Sequence, residues 1–320
     1  MKQSEFEKTK LNNRLTDYMG RSHLEESSEE VLRRAVKWFV ELHGDIEPAL
    51  VRYGHADDYR SWLKKGRAGS SANTYLAMIG GLFMWLLRRG YIGSDPFDGV
   101  KRFKVAERKF DIYTPEEIRR IIKVADDRWR AVVCLGLCSM RRAEIQNLLV
   151  SDIDFASNEI HIKPKKLSET TWPWQIKNHN EALVGIEDSI AQMLMKLIDS
   201  LTGSRQPYVI LRPKYWKRNL VRQKEGTLSH RDRNLPWGNF NREFKALLRR
   251  ARVPDKRFHD LRGTFATVNY RDGLELIDLQ YLMRHSSIQT TARYVKKEEE
   301  RKLLKKSGRT FKKYYVSNVP

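Results

Sequence analysis

The chain has 320 residues, of which 40% are apolar and 10% aromatic, so its composition excludes wholesale disorder. Its 61 Lys and Arg residues against 40 Asp and Glu residues leave a net charge of +21, which indicates a polyanionic partner, with nucleic acid as the leading candidate. The longest uncharged apolar run, residues 75–87, is too short to span a bilayer. The charged residues 1–10 lack the apolar stretch of an export signal, which predicts a cytoplasmic protein without a membrane partner.

The first part of the chain, residues 1–104, is predicted to be a small helical bundle. Apolar residues recur at helical spacing over residues 31–42 and again over residues 70–90. The second of these helices contains Gly80 and Gly81, which we expect to permit close approach of a neighbouring helix. Its buried side is expected to consist of Tyr75, Ile79, Leu82, Phe83, Leu86 and Leu87.

A basic segment follows this bundle. Residues 99–111 contain five basic residues and two acidic residues, and the helix-breaking Pro96 and Gly99 lie at the start of this region. We therefore expect an interdomain linker over residues 105–112 and a second domain over residues 113–320. The basic residues at this junction that could contact a phosphate backbone are Lys101, Arg102 and Lys104.

The second part is predicted to be mainly helical with one small antiparallel sheet, an α+β arrangement. Thr114, Pro115 and Glu117 form a capping-box signature that starts a helix over residues 114–125. Alternation of apolar residues predicts strands in three places, namely a hairpin over residues 152–164 and single strands at 172–176 and 182–186. Further helices are expected over residues 130–138, 187–201, 239–251, 259–271 and 274–284.

Motifs for nucleotide or metal cofactors are absent from the sequence. There is no GxxxxGK[ST] loop, HExxH motif or CxxC pair, so we expect no ATP, metal or other cofactor. Cys134 and Cys138 lie one helical turn apart in an apolar run, which is typical of core packing. Asp152 and Asp154 have the spacing of a possible metal pair, but aspartates beside a turn are far more often structural.

Two arginines directly follow the apolar helix at 130–138. A guanidinium buried at the end of such a helix must either form an ion pair within the protein or bind an anionic ligand. Glu144 comes three residues after Arg141 and is its natural ion-pair partner. An ordinary ion pair on a helix surface is the alternative interpretation.

Four polar residues in the last third of the chain could converge on one ligand. His259 and Arg262 are three apart on a predicted helix, so their side chains project from the same face. His285 follows the next apolar helix, and Tyr294 comes one short segment later. Each residue alone is unremarkable, but together they could contact a single phosphate.

Arg141 with Glu144, His259-x-x-Arg262, His285 and Tyr294, in this order, resemble the catalytic signature of the tyrosine recombinase (phage integrase) family. This match covers most of residues 111–296, while residues 71–101 are similar to the helical core-binding domain of the same family. The resemblance implies a site-specific integrase or recombinase that acts on double-stranded DNA as a dimer to tetramer, without a cofactor. It also implies the fold, a core-binding domain followed by a tyrosine-recombinase catalytic domain.

The resemblance further implies a role for each matching residue. Tyr294 is expected to be the nucleophile that forms a 3′-phosphotyrosyl ester, and His259 is expected to assist removal of its proton. Three donors are expected to stabilise the charge on the phosphate: Arg141, Arg262 and His285.

The family also uses a lysine from a β-hairpin turn to protonate the leaving 5′-oxygen. Lys177 is the best candidate because Lys177-Asn178-His179 precedes the strand at 182–186. Lys165 and Lys166 are the alternatives, and they are also candidate contacts to the DNA backbone. The sequence alone leaves the choice open.

Two positions depart from the family pattern. Arg284 stands where glycine usually precedes the histidine, and Ser139-Met140 stands where a glycine-containing turn usually precedes the arginine. Any turn that needs a positive φ at these places must therefore form without glycine. Arg284 is also a candidate DNA contact.

The tail after Tyr294 is charged, with a small apolar anchor. Residues 296–306 contain opposite charges at helical spacing together with Leu303 and Leu304. In the family such a tail docks on a neighbouring protomer, and a frayed charged helix is the alternative. Three other functions also stay open: a type IB topoisomerase-like enzyme, a non-catalytic DNA-binding regulator on the same scaffold, and a metal-dependent transposase.

Overall fold

A computed structural model describes residues 10–22, 24–106, 111–176, 180–296 and 298–300. The chain divides into two compact units with a boundary between residues 108 and 109, inside the predicted linker at 105–112. Each unit has a hydrophobic core of its own. In the described part of the chain, no helix is long and apolar enough to cross a membrane.

The first unit is helical, as predicted. Its helices are α1 Leu11–Arg21, α2 Glu26–His43, α3 Tyr53–Gly66 and α4 Gly69–Arg88. The helix predicted at 31–42 corresponds to α2. The observed helix begins earlier, at Glu26, because its first turn is polar and apolar spacing could not reveal it. The helix predicted at 70–90 corresponds to α4. Tyr59 and Phe83 pack around Phe39 in the core, and the Tyr59 hydroxyl donates to Ala35 O at 2.9 Å.

The close helix approach expected at Gly80 and Gly81 is wrong. A Cβ on Gly80 would make only an ordinary contact, 3.8 Å from Phe97 Cβ, and a Cβ on Gly81 would meet nothing within 4 Å. Both glycines simply continue α4 as helical residues without a packing requirement.

The second unit is mainly helical around the larger core. Its helices are α5 Pro115–Val124, α6 Asp127–Leu137, α7 Arg142–Gln146, α8 Asp188–Asp199, α9 Pro213–Lys224, α10 His230–Asn234, α11 Phe240–Arg250, α12 His259–Arg271 and α13 Leu276–Met283. Residues 288–296 are also helical. The predicted capping box is confirmed, because Glu117 N donates to Thr114 Oγ1 at 3.2 Å and Thr114 N donates to Glu117 Oε2 at 2.8 Å.

A three-stranded antiparallel sheet in the order β1-β2-β3 accompanies these helices, with β1 Ile153–Asp154, β2 Glu159–Ile162 and β3 Ala182–Gly185. The central strand aligns Ile160 with Ile153 on one side and with Val184 on the other. The predicted hairpin and the predicted third strand are therefore confirmed.

The strand predicted at 172–176 is wrong. Only an isolated bridge between Lys165 and Trp174 occurs there. The Trp172 ring stacks on Tyr208 with centroids 4.3 Å apart, and its Nε1 donates to Asn147 Oδ1 at 3.1 Å. The apolar residues of this segment thus anchor the loop between β2 and β3 to the core instead of alternating across a sheet.

Close contact between α6 and α12 depends on Gly136. A Cβ at this position would lie 2.9 Å from Leu261 Cδ1 and 3.0 Å from Phe258 Cζ, distances that packed carbon atoms do not reach. The missing side chain lets α12 pack directly on α6. This approach brings the start of α12 beside the turn that follows α6.

Candidate active site

The turn after α6 presents Arg141 at the N-terminus of α7. Arg141 N donates to Glu144 Oε2 at 2.7 Å, and Arg141 Nη1 donates to Glu144 Oε1 at 2.7 Å. Burial raises the pKa of Glu144, but the neighbouring Arg284 and Arg141 lower it further than burial raises it. Glu144 is therefore an ionised carboxylate that holds Arg141 through both its backbone and its side chain.

Arg262 lies on the first turn of α12 and is only 1% exposed. Its Nη1 donates to Ser139 O, whereas its Nε and Nη2 have no hydrogen-bond partner in the described part of the chain. Burial, Arg141 and Arg284 lower the pKa of Arg262 to about 9, which still leaves it protonated at neutral pH. A buried guanidinium with unused donors is the expected signature of an anion-binding site.

Tyr294 lies on the helical segment 288–296 and points its phenol toward the start of α12. Its Oη is 2.9 Å from His259 Nε2, and its carbonyl accepts a hydrogen bond from Thr267 Oγ1 at 3.0 Å. Burial raises the pKa of Tyr294, which Arg262 opposes. Burial and the charge of Arg262 lower the pKa of His259, so this imidazole is neutral and can accept the phenolic proton.

His285 stacks beside the same phenol. The two rings are nearly parallel, with centroids 5.9 Å apart. His285 Nδ1 is 2.9 Å from the Oγ1 of the buried Thr291, which leaves the other ring nitrogen, Nε2, to donate to a phosphate oxygen. Burial and the nearby Arg262 lower the pKa of His285 to about 3. Sequence reasoning missed Thr291, although its position three residues before Tyr294 places both on one helix face.

At the two positions that depart from the family pattern, the backbone has the positive φ that glycine usually adopts. Ser139 has a φ of 62°, and Arg284 has a φ of 54° with a ψ of 47°. Ser139 Oγ donates to Leu282 O at 2.9 Å, which ties the turn after α6 to the end of α13. Both left-handed positions therefore form in residues that carry side chains.

Two of the candidate DNA contacts are mostly shielded from solvent. Lys165 is 6% exposed, and its Nζ is 2.5 Å from Asp152 Oδ2, because that buried carboxylate requires a countercharge. The Arg284 side chain is 13% exposed and pairs with Glu144. The other four candidates are exposed, and their contact with DNA stays a prediction: Lys101, Arg102, Lys104 and Lys166.

Lys177, the first candidate for the leaving-group acid, lies outside the described residues. The chain before it is fixed, since Trp174 Nε1 donates to Asn234 Oδ1 at 3.0 Å. Among the residues that the structure describes, no cluster of three or more His, Cys, Asp or Glu could hold a metal ion. Asp154 accepts a hydrogen bond from Ala156 N at 2.8 Å and is part of the hairpin turn.

Residues 112–301 match the Phage integrase family. The match covers more than half of the chain and includes the clustered tyrosine, histidine and arginine residues. The chain therefore belongs to the phage integrase family of tyrosine recombinases, which are site-specific DNA recombinases.

Curated relatives agree with this assignment. The chain is 22% identical to a tyrosine recombinase XerC-like protein of Caldanaerobacter subterraneus, over 73% of this chain and 64% of that protein. It is 23% identical to a tyrosine recombinase of Pseudothermotoga lettingae, over 79% of this chain and 81% of that protein. It is 28% identical to the integrase of Salmonella phage P22, over 56% of this chain and 42% of that protein. The chain thus spans less than two thirds of the first and third of these relatives.

Solved integrase structures have the same fold. The Tn1549 transposon integrase, in complex with transposon right end DNA, aligns with a TM-score of 0.68 at 17% identity, over 89% of this chain and 94% of that chain. A lambda integrase dimer bound to a COC′ core site aligns with a TM-score of 0.63 at 14% identity, over 89% and 95% of the two chains. The predicted fold class is therefore confirmed.

Proposed function

We propose that this chain cleaves and rejoins DNA at specific sites through Tyr294, without ATP or a metal ion. The observation that carries the proposal is the 2.9 Å contact between Tyr294 Oη and His259 Nε2 beside the buried, partly unpartnered guanidinium of Arg262. A nucleophile, a neutral base and an anion-binding group are the parts that attack on a phosphodiester requires.

The proposed reaction begins with attack of Tyr294 Oη on phosphorus. The phenolic proton passes to His259, the bond from phosphorus to the 5′-oxygen breaks, and a 3′-phosphotyrosyl ester remains. Arg141, Arg262 and His285 donate hydrogen bonds to the non-bridging oxygens as negative charge develops there. Removing one such donor typically lowers a rate by about 10²- to 10³-fold. The 5′-hydroxyl of another strand reverses these steps and reseals the DNA.

Lys177 is proposed to protonate the leaving 5′-oxygen. The loop that contains it connects β2 and β3 and is held to the second unit by Trp172 and Trp174. The alternative Lys165 is disfavoured because its ammonium neutralises buried Asp152. Lys166 is exposed and remains the second candidate.

We propose that residues 1–104 form a core-binding domain and that both units contact double-stranded DNA. The net charge of +21 and the exposed basic residues support this assignment. The candidate contacts on exposed surface are Lys101, Arg102, Lys104 and Lys166. A protein with this role works where chromosomal or phage DNA is held, in the bacterial, archaeal or phage-infected cytoplasm.

Assembly on DNA is proposed to use the tail after Tyr294. Leu303 and Leu304 supply its apolar anchor. Ile277 and Tyr281 on α13 are exposed apolar side chains, 62% and 82% accessible, and offer a surface that such an anchor could cover in a neighbouring protomer. This arrangement would join two to four protomers, as the lambda integrase dimer and tetramer structures illustrate for that protein.

The test of this function is covalent trapping. We expect the wild-type chain, in EDTA, to form an adduct with a nicked suicide duplex tiled from the DNA that flanks its gene, because integrase sites usually lie there. Tyr294→Phe should abolish the adduct and preserve DNA binding, since only the nucleophilic oxygen is lost.

The matched control is Tyr281→Phe, because this exposed tyrosine lines the same pocket as Arg141 and His285. It should form adducts as the wild type does. Adducts in the Tyr294 variant would refute the assignment of the nucleophile. Site binding without any wild-type adduct would favour a non-catalytic regulator, and a requirement for divalent metal would favour a transposase.

A further inference from the structure

Arg284 occupies an unfavourable backbone conformation directly before His285. Its φ of 54° and ψ of 47° lie in the left-handed region, which disfavours any residue with a Cβ atom. Glycine would adopt this conformation without strain. A side chain that persists at such a position must make contacts that offset the strain.

The contacts of the Arg284 side chain lead to both proposed phosphate-binding arginines. Its Nη2 donates to Glu144 Oε2 at 2.9 Å and to Ser139 O at 2.8 Å. Glu144 is also the ion-pair partner of Arg141, and Ser139 O also accepts a hydrogen bond from Arg262. Arg284 Nη2 therefore binds both the carboxylate that pairs with Arg141 and the carbonyl that accepts from Arg262.

The backbone of Arg284 also contacts Arg141. Its carbonyl accepts a hydrogen bond from Arg141 Nη2 at 2.8 Å. Glycine at this position would keep that carbonyl and lose only the side-chain contacts. The main-chain and side-chain contributions of Arg284 can therefore be separated by one substitution.

The distribution of charge around Glu144 supports the same role for Arg284 as the hydrogen bonds do. Glu144 pairs with both Arg141 and Arg284, so its single negative charge is divided between two guanidiniums. Arg141 is consequently less neutralised than it would be in an exclusive pair. A more positive Arg141 binds the developing charge of a phosphate more strongly.

We infer that Arg284 is a positioning residue for strand cleavage, which clamps Glu144 and the Ser139 carbonyl and thereby sets the orientation and charge of Arg141 and Arg262. This inference rests on the proposed function. It requires no contact between Arg284 and DNA, because the side chain is mostly shielded and its Nη2 donates to Glu144 and to Ser139 O.

Arg284→Gly is the main test, because it releases the backbone strain while it removes the clamp. We expect single-turnover cleavage of the suicide duplex to fall by about 10- to 100-fold, the usual effect of losing a group that orients a ligand-binding residue. The dissociation constant for the same duplex should change less than about threefold, because most contacts to the DNA backbone are expected from exposed basic residues that the substitution leaves in place. Arg284→Lys keeps the charge and a donor, so it should recover at least part of the lost rate.

Arg252→Gly is the matched control, since Arg252 also has a positive φ, of 53°, but lies outside the site. It loses the same charge and gains the same backbone freedom, and it should cleave at the wild-type rate. Thermal unfolding of all variants identifies any loss of fold.

Four results would overturn the inference: Arg284→Gly cleaves within twofold of the wild type, Arg252→Gly is equally slow, DNA affinity falls as much as cleavage does, or Arg284→Lys is no faster than Arg284→Gly. A wild-type chain that forms no adduct would instead refute the proposed function itself.

Discussion

At the scale of single residues, the site is organised by an excess of buried positive charge. Burial and the neighbouring Arg141 lower the pKa of Arg262 and that of Arg284, and Glu144 is the carboxylate that pairs with Arg141 and Arg284. Burial and this positive charge lower the pKa values of His259 and His285, so both imidazoles are neutral at pH 7. A neutral His285 can donate one hydrogen bond to phosphate, and a neutral His259 can accept a proton from Tyr294.

This electrostatic arrangement predicts how stability depends on pH. The pKa of His285 is about 3 in the folded chain, below the value of about 6.5 for an unfolded histidine. Between these values the unfolded chain binds a proton that the folded chain does not, so the free energy of unfolding should fall as the pH falls below 6.5. His259 acts in the same direction because its pKa is also lowered.

Urea unfolding of the DNA-free chain at pH 7 and pH 5.5 measures this effect. His285→Asn keeps a polar group near Thr291 but cannot titrate, so its loss of stability between the two pH values should be smaller than that of the wild type. An equal loss in both proteins would show that His285 is not held neutral by its surroundings.

At the scale of elements, the site depends on the contact between α6 and α12. Arg141 follows the first helix, whereas His259 and Arg262 begin the second. Gly136 is the position where the two helices approach too closely for a side chain. The distances among the clustered residues therefore depend on one buried glycine, at a position where a side chain would not fit.

We predict that Gly136→Ala destabilises the chain and slows cleavage. The added methyl group must displace Leu261 and Phe258 or move α12, at a cost of about 1–3 kcal/mol in the free energy of unfolding. Urea unfolding and the suicide-duplex assay measure the two effects.

Gly81→Ala is the control for this substitution. Gly81 is exposed in α4, and its added methyl group would meet nothing within 4 Å. The change should therefore stabilise the chain by about 0.5–1 kcal/mol. If both alanine variants were equally stable relative to the wild type, close packing at Gly136 would not determine the position of α12.

At the scale of the whole molecule, strand exchange requires more than one catalytic unit. In the proposed mechanism, cleavage uses only the clustered residues of a single chain, whereas exchange between two sites also needs contacts between protomers. We propose that such contacts join the exposed apolar side chains of α13 to Leu303 and Leu304 of the tail, because both are apolar.

We predict that the paired substitutions Leu303→Ala and Leu304→Ala separate these two activities. Adduct formation on the suicide duplex should be nearly unchanged, while recombination between two sites on one plasmid should fall about tenfold or more, because an apolar anchor is lost. The charge-altering pair Lys305→Ala and Lys306→Ala is the control and should recombine normally. Relaxation of supercoiled DNA that lacks the site would instead favour a topoisomerase-like enzyme.

Local signals accounted for much of the fold. The capping box at Thr114 fixed the start of α5, and apolar spacing located α4, α11 and α12 within one or two residues. Local signals failed where a segment packs through tertiary contacts. Trp172 and Trp174 have the composition of a strand, but their rings and indole nitrogens bind distant groups in the core.

The sequence by itself determined the family, the order of the functional residues and the pairing of Arg141 with Glu144, because these depend on residue type and local spacing. Only the tertiary structure decided that Lys165 is buried against Asp152, that Thr291 holds His285, and that Arg284 faces inward. Each of these facts depends on residues brought together by helix packing and chain reversal. Neither residue type nor short-range periodicity encodes which way a side chain turns when several partners of suitable charge lie within reach.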